Sequence, residues 1–552
     1  DEQHLFATLQ RAARAWEEGQ IDLSSLSEDV AMKKKVQVRV AGGWVRDKIL
    51  GLQTHDVDVA LDTCTGVEFA NILKQYIQTF EHEESTSKRV GKIGVIAANP
   101  AQSKHLETAT MKIFGIEVDF SNLRHETYAE DSRIPETVMG TPLEDSFRRD
   151  FTMNSLYFNL ETQRIEDWTR RGLQDLLETK VVQTPLEAYQ TFHDDPLRVL
   201  RAIRFAVRYQ MRLSDDLIQA CKHPQIHKEL HRKVSRERVG KELEGMLSGK
   251  HADPMQAMDL ICSMKLAGSV FCLPGPDVPL LGTIGQSHLE AVPYKAASEM
   301  ELSRLREIAW KEARECMKAL PLVLSAFQIK QGGKLTLPER EGITYPLTPV
   351  DNRLIYLAVV LLPFEHLMYP VRQKTFYAVS YMVRDGIKFK NRDVMSITSI
   401  AEGMDDMVQL LQRIPEVTST TRLQAGLVLR STKEMWLTTL LVCTIYLMRK
   451  QHNLQVNWCQ RAKEWYDTII DEMELDGSWN AKPLMNGKEL IELLGLDRGP
   501  AVGIYTQEQV QWMLMNPKGT LEELQHFLKG VQKSREFEEN QAAQHISKKM
   551  HL

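Results

Sequence analysis

Apolar and polar positions alternate in short stretches over the first third of the chain, then settle into the three- and four-residue spacing of helices. Residues 36–40 (Val-Gln-Val-Arg-Val) alternate as a half-buried strand, and Gly42-Gly43 turns the chain into a short helical stretch that Gly51 can stop. Residues 55–61 alternate again, and further strand-like segments lie at 94–97, 115–120 and 154–160. Residues 30–180 therefore read as one α/β unit, although the pattern does not give the order of its strands. Beyond Pro185 the spacing is helical almost throughout, with long amphipathic stretches at 194–212, 235–248, 299–327, 352–383 and 422–450. Pro- and Gly-rich patches between 271 and 348 read as loops between helical lobes.

A chain of 552 residues exceeds what one hydrophobic core organises, so three or four domains or one multi-lobed body are expected. With 43% hydrophobic and 26% charged residues the composition is that of an ordinary soluble protein. A net charge of −5 carries no global signature of nucleic-acid binding, so any contact with a polyanion has to come from a locally basic face. Seven scattered cysteines, none in a C-x-x-C pair, point to free thiols in a reducing compartment and give no reason to expect structural zinc. The opening Asp-Glu-Gln-His lacks the charged-then-apolar pattern of a secretion signal. Apolar runs at 354–364 and 435–448 fall short of the roughly 20 residues that span a bilayer, so they read as buried helices and no membrane partner is expected.

Two carboxylates carry the first chemical signal. Asp56 and Asp58 stand two apart in an alternating strand, so both emerge on one face while Val57 and Val59 point to the other. Magnesium takes one or two protein carboxylates together with substrate phosphates, which such a pair supplies. An isolated Asp-x-Asp is more often a solvated strand face, and the upstream Gly42-Gly43-Trp44-Val45-Arg46-Asp47 changes that balance. Paired glycines after a strand allow close backbone approach, N–H groups entering a helix at Gly43 can cradle phosphate, and Arg46 adds a forked cation.

Together these segments resemble the catalytic motif of the polymerase β-type nucleotidyltransferases. Arg148-Arg149-Asp150-Phe151-Thr152-Met153-Asn154-Ser155-Leu156 is similar to the second motif of the class II tRNA nucleotidyltransferases, the family of CCA-adding enzymes and bacterial poly(A) polymerases. That resemblance implies that Arg149 meets the nucleotide; the family's usual Ala is Ser155 here. Asp167-Trp168-Thr169-Arg170-Arg171-Gly172 with Leu176 resembles the third motif, a hinge region in that family.

The fourth motif, Asp194-Asp195-Pro196-Leu197-Arg198, continues through Arg201, Arg204 and Phe205. Spaced three apart, Asp195 and Arg198 are expected side by side on a helix, where a carboxylate accepts from an exocyclic amine and a guanidinium donates to the adjacent ring acceptor. Cytosine and adenine share that edge pattern; uracil and guanine reverse it. The family has Glu where Asp194 stands, one methylene longer. Arg198, Arg201, Arg204 and Arg208 form a helical stripe, and residues 192–250 hold thirteen Lys/Arg against eight Asp/Glu, a basic neck suited to triphosphate and RNA backbone. Ser235-Arg236-Glu237-Arg238-Val239 with Glu242 and Leu243 resembles the last head-neck motif, with a scaffolding role.

Less is expected of three other features. Asp119 is a candidate third carboxylate, less firmly fixed by the resemblance, and stays off the metal set of Asp56 and Asp58. His223, His227 and His231 recur every fourth residue but read as exposed helix histidines. Residues 88–110 occupy the place of a loop that assists the switch from C to A in this family.

The resemblance covers residues 36–250, in five ordered motifs of eukaryotic, fungal-like character. It implies a polymerase β-type nucleotidyltransferase head of α/β fold (1–180), then an all-α neck with the base reader (181–250), body (251–400) and tail (401–552) that hold the acceptor arm of tRNA, with basic residues on a common concavity. It further implies addition of C, C and A from CTP and ATP by two-metal chemistry with Mg2+, in a monomer located in cytoplasm and nucleus with a mitochondrial pool. Asp56 and Asp58 are the expected catalytic residues and metal ligands; Gly43, Arg46, Arg149, Asp195, Arg198, Arg201 and Arg204 are the expected nucleotide contacts. A poly(A) polymerase of the same family and a non-catalytic tRNA-binding protein are the competing readings.

Overall fold

The alternation around residue 38 becomes strand β1 (Val38–Ala41), and the Asp-Val-Asp-Val stretch becomes β2 (Asp56–Leu61). They belong to a computed structural model that describes residues 2–21, 35–54, 56–80, 91, 93–96, 108–127, 136–275, 278–282, 299–329, 352–450 and 456–550. Two compact units divide it, Asp1–Phe271 and Cys272–Leu552.

In the first unit, β3 (Gly94–Ile96), β4 (Thr108–Ile113), β5 (Ile116–Asn122), β8 (Leu156–Asn159) and β9 (Arg164–Asp167) join β1 and β2 in a seven-stranded sheet of order β3-β4-β5-β2-β1-β8-β9. A separate antiparallel pair is formed by β6 (Arg124–Thr127) and β7 (Glu136–Met139). The β2–β5 pairing is parallel while β1–β2, β1–β8, β4–β5 and β8–β9 are antiparallel, so the sheet is mixed.

Helices α1 (Glu2–Glu17) and α3 (Gly66–Phe80) pack on each other beside the sheet, on either side in sequence of the short α2 (Gly43–Ile49). Leu5, Leu9 and Trp16 of α1 and Phe69, Ile72 and Leu73 of α3 form a continuous core with Val57, Val59, Val118 and Phe120 of the sheet. Phe69 and Phe120 are fully buried and in ring contact, each worth about 1.5–3 kcal/mol of apolar transfer. Because side chains alternate, burying that face leaves Asp56, Asp58 and Asp119 on the opposite, accessible face. Farther along that second face, Ala60 packs with Ala41, Leu123 and Tyr157.

The helix expected over 194–212 is two helices. After α4 (Pro142–Arg148) come α5 (Ala188–Asp194) and α6 (Arg198–Tyr209), separated at Asp195, whose backbone is extended at φ −133 and ψ 98. Pro196 is the cause, since the residue before a proline is driven out of the helical region. The expected 235–248 helix is α7 (Arg236–Ser248).

The second unit is mainly helical, from α8 (Glu299–Ala326) and α9 (Asn352–Leu361) through α10 (Asn391–Leu411), α11 (Ser419–Thr432) and α12 (Trp436–Lys450). Trp436, Leu440, Met404, Met407 and Leu429 are buried where α10, α11 and α12 pack together. A smaller core of Leu490, Leu494, Tyr505, Trp512, Leu524 and Leu528 lies near the end of the chain. Two helical expectations fail locally. Residues 352–383 contain a hairpin of β10 (Met368–Val371) and β11 (Lys374–Tyr377), because Pro363 and Pro370 interrupt the helix and Thr-Phe-Tyr favours a pleated surface. Residues 422–450 break at Lys433, which takes φ 50. Among the described residues no helix is long and apolar enough to cross a membrane.

Candidate active site

Two glycines open the site, and they differ. Gly42 has φ 62, and a Cβ there would lie 2.8 Å from Arg149 Nη1 and 3.3 Å from the Asn154 carbonyl, so glycine is required on two counts. Gly43 begins α2 with ordinary helical backbone and room around it. The paired glycines were the sequence signal; which of them carries the strain was not.

On β2, Asp56 and Asp58 are accessible, and the parallel ladder sets Asp58 level with Asp119 of β5. Thr110 donates from its hydroxyl to Asp119 Oδ1 at 2.6 Å. Asp58 is accessible yet flanked by enough protein to be partly desolvated. That burial, with Asp119 and Asp56 adding repulsion, holds its carboxyl above the usual range although Arg149 pulls the other way. Among the described residues no three His, Cys, Asp or Glu side chains converge to enclose an ion. An open carboxylate face suits magnesium, which completes its shell with phosphate and water.

Arg149 is fixed from three sides. It donates to Asp145 Oδ2 at 3.0 Å, to the Tyr157 hydroxyl at 3.2 Å and to the Asn154 carbonyl at 3.2 Å. Burial alone would push the Asp145 carboxyl up, but Arg149 and Arg148 outweigh it and hold the group far below the usual range. Ser155, where the family usually has Ala, is fully buried, its one hydroxyl proton lying within reach of the Ser146 and Phe151 carbonyls. Gly172 of the third motif packs so tightly that a Cβ would meet the Thr152 carbonyl at 2.6 Å.

Arg46 is only 5% exposed. It donates to Asp47 and to Asn154, and its guanidinium lies over Tyr209 at 4.6 Å and Phe205 at 5.2 Å. The cation expected to face phosphate is thus buried between the glycine turn and α6. Arg201 is engaged by Asp150 at 2.8 Å and Arg204 by Glu242 at 2.6 Å, linking the second, fourth and last motifs. Asp150 is buried, and Arg201 holds its carboxyl below the usual range against the cost of that burial.

Asp195 and Arg198 stand on either side of the proline corner, not along one helix. The Arg198 N–H binds the Asp195 carbonyl at 3.0 Å, and Arg198 Nη2 donates to the Arg148 carbonyl at 2.7 Å. Asp195 Oδ1 accepts the Leu197 N–H at 3.2 Å, while Oδ2 accepts from Arg238 at 2.7 Å. Arg238 belongs to the motif expected to be a scaffold, and its direct hold on Asp195 joins residues 43 positions apart, beyond the reach of local spacing. Asp194 instead accepts from Gln190 at 2.7 Å, and burial holds its carboxyl above the usual range. His223 caps its helix and His227 is half-buried against the Cys221 carbonyl. Most of the loop at 88–110, including 97–107, lies outside the described residues.

A mixed sheet with paired carboxylates, a glycine turn and an appended helical region defines a nucleotidyltransferase. Residues 38–183 match the poly A polymerase head domain, and over 499 residues the chain is 33% identical to the tRNA nucleotidyltransferase cca2 of Schizosaccharomyces pombe, covering 90% of this chain and 93% of that one. The chain belongs to the tRNA nucleotidyltransferase family of CCA-adding enzymes. It is also 33% identical to the mitochondrial CCA tRNA nucleotidyltransferase of Saccharomyces cerevisiae over 90% of this chain and 88% of that one. In fold it resembles a CCA-adding enzyme in an apo form, with a TM-score of 0.56 at 19% identity over 96% of both chains. The Thermotoga maritima CCA-adding enzyme complexed with tRNA superposes with a TM-score of 0.53 at 18% identity, again over 96% of both chains.

Proposed function

We propose that this nucleotidyltransferase builds the C-C-A terminus of tRNA from CTP and ATP, the RNA 3′-hydroxyl attacking the α-phosphate in line with release of pyrophosphate. The observation that carries the reading is the shared sheet face of Asp56, Asp58 and Asp119, with the Asp58 carboxyl held up by burial and mutual repulsion. A divalent cation fits there because it would relieve that repulsion. Magnesium held by Asp56 and Asp58 would supply the charge that acidifies the 3′-hydroxyl and steadies the triphosphate and pyrophosphate.

The chain's own groups do the rest. Backbone at Gly43 and the guanidinium of Arg149 receive the triphosphate, while buried Arg46 acts on it by fixing the turn. Asp195 and Arg198 read the base: a carboxylate has about four acceptor sites and a guanidinium five N–H donors, so their existing bonds leave capacity for one base edge. Arg201 holds Asp150 and so keeps the reader helix against the head, while Arg204 holds Glu242 and ties that helix to α7. Residues 181–250 serve as neck, and body (251–400) and tail (401–552) as the holder of the acceptor arm. The same reading makes the enzyme a monomer of cytoplasm and nucleus with a mitochondrial pool, the last supported by the budding-yeast relative's mitochondrial designation.

The test is incubation with magnesium and a tRNA transcript lacking CCA, supplied with CTP, ATP, both, or UTP and GTP, with products resolved at single-nucleotide length. Two additions with CTP and three with both are expected. Unlimited ATP extension would make it a poly(A) polymerase, and no extension would favour a binding protein.

A further inference from the structure

The hairpin β10–β11 stands out within the second unit. Tyr369 pairs with Phe376 and Val371 with Lys374, so these four side chains share one face. Tyr369 is buried against Tyr381, with ring centroids 5.7 Å apart, and its hydroxyl accepts from Arg384 at 3.2 Å. Farther out, Phe376 is 38% and Val371 45% exposed, and Arg372, Gln373, Lys374 and Thr375 are exposed as well.

Its loop is the two residues Arg372 and Gln373, a length that calls for left-handed backbone, and Arg372 adopts φ 57. Glycine or asparagine would take that conformation at lower cost, so the turn places a guanidinium at its tip against its own backbone preference. Between Met368 and Arg392 the sequence holds six Lys/Arg and one Asp. Cations beside an accessible aromatic ring on a pleated ribbon form a platform for RNA, the cations meeting phosphate and the ring stacking on an unpaired base.

We propose that this hairpin face is an RNA-binding surface: Arg372 and Lys374 contact phosphates, and Phe376 stacks on an unpaired base of the tRNA outside the terminus being extended. The proposal rests on the CCA-adding reading for the identity of its RNA.

The full chain is compared with the Arg372→Glu/Lys374→Glu, Phe376→Ser and Arg372→Gly variants for binding to tRNA lacking CCA over a range of salt, and for KM of tRNA and of CTP. Charge reversal is expected to weaken tRNA binding by about tenfold or more and to flatten its salt dependence, as loss of one or two phosphate contacts requires. Phe376→Ser should weaken binding about fivefold or more. Arg372→Gly separates function from folding, because it should raise the melting temperature while lowering tRNA affinity. The effect falls on KM for tRNA, not on KM for CTP. Unchanged tRNA affinity and salt slope in the charge-reversal and Phe376→Ser variants would overturn the proposal while leaving CCA addition intact. Wild-type protein that neither binds nor extends tRNA would overturn the functional reading itself.

Discussion

Asp119 stands level with Asp58 across the parallel ladder of β2 and β5, its carboxylate held by the Thr110 hydroxyl at 2.6 Å. Both residues lie on the sheet face away from the valine and phenylalanine core. Asp58→Ala should abolish nucleotide addition and leave tRNA binding unchanged. Asp119→Asn should slow addition by about 10- to 100-fold, the usual range for a group that tunes a metal-binding carboxylate. Single-turnover extension of a tRNA lacking CCA measures both, and full activity in either variant would remove that residue from the site.

Arg238 reaches from α7 to Asp195, the acid proposed to read the base, at 2.7 Å. Arg238→Ala should raise KM for CTP and ATP about tenfold, the worth of one charge-assisted hydrogen bond, and erode discrimination against UTP. Arg238→Lys should recover part of it. A fall in kcat with unaltered nucleotide selectivity would assign Arg238 a purely structural role.

Gly42 and Gly43 should respond differently to alanine. At φ 62, with Arg149 2.8 Å from the new methyl group, Gly42→Ala costs at least about 1–2 kcal/mol and displaces Arg149, so melting temperature and activity fall together. Gly43→Ala has room and ordinary backbone, so any loss should appear in activity alone. Thermal melts beside extension assays decide the point.

Burial pushes the Glu365 carboxyl up from 4.5 to about 8 within the helical unit, against a backbone hydrogen bond and the Lys450 cation that pull it down, while Glu312 and Asp405 add repulsion. The folded protein keeps this proton while the unfolded chain releases it above pH 4.5, so stability declines as pH rises through that window and levels off above about 8. Glu365→Gln should therefore match wild type near pH 5 and exceed it by a few kcal/mol at most near pH 8.5. Denaturant melts at both values check the sign, and equal differences at the two would rule this account out.

Some of this was legible in residue order alone. Alternation in β2 put Asp56 and Asp58 on one face, since a period of two is a local property of a strand. Helical spacing found α7 and α8 within a residue or two, and the ordered motifs fixed the family. Where local signals competed, the pattern failed: Pro196 split an expected helix between Asp195 and Arg198, and Pro363 and Pro370 admitted a hairpin into an apolar run.

Contacts between residues distant in the chain were decided only by the tertiary structure. Register across β2 and β5 brought Asp119 to Asp58, burial beneath the glycine turn took Arg46 out of solvent, and packing of α7 against α6 supplied Asp195 with Arg238. Sequence determined which side chains carry charge and which backbone positions tolerate a turn, because those are properties of single residues and near neighbours. Which charges pair, and which remain for a substrate, depends on strand register and helix packing that no local spacing encodes.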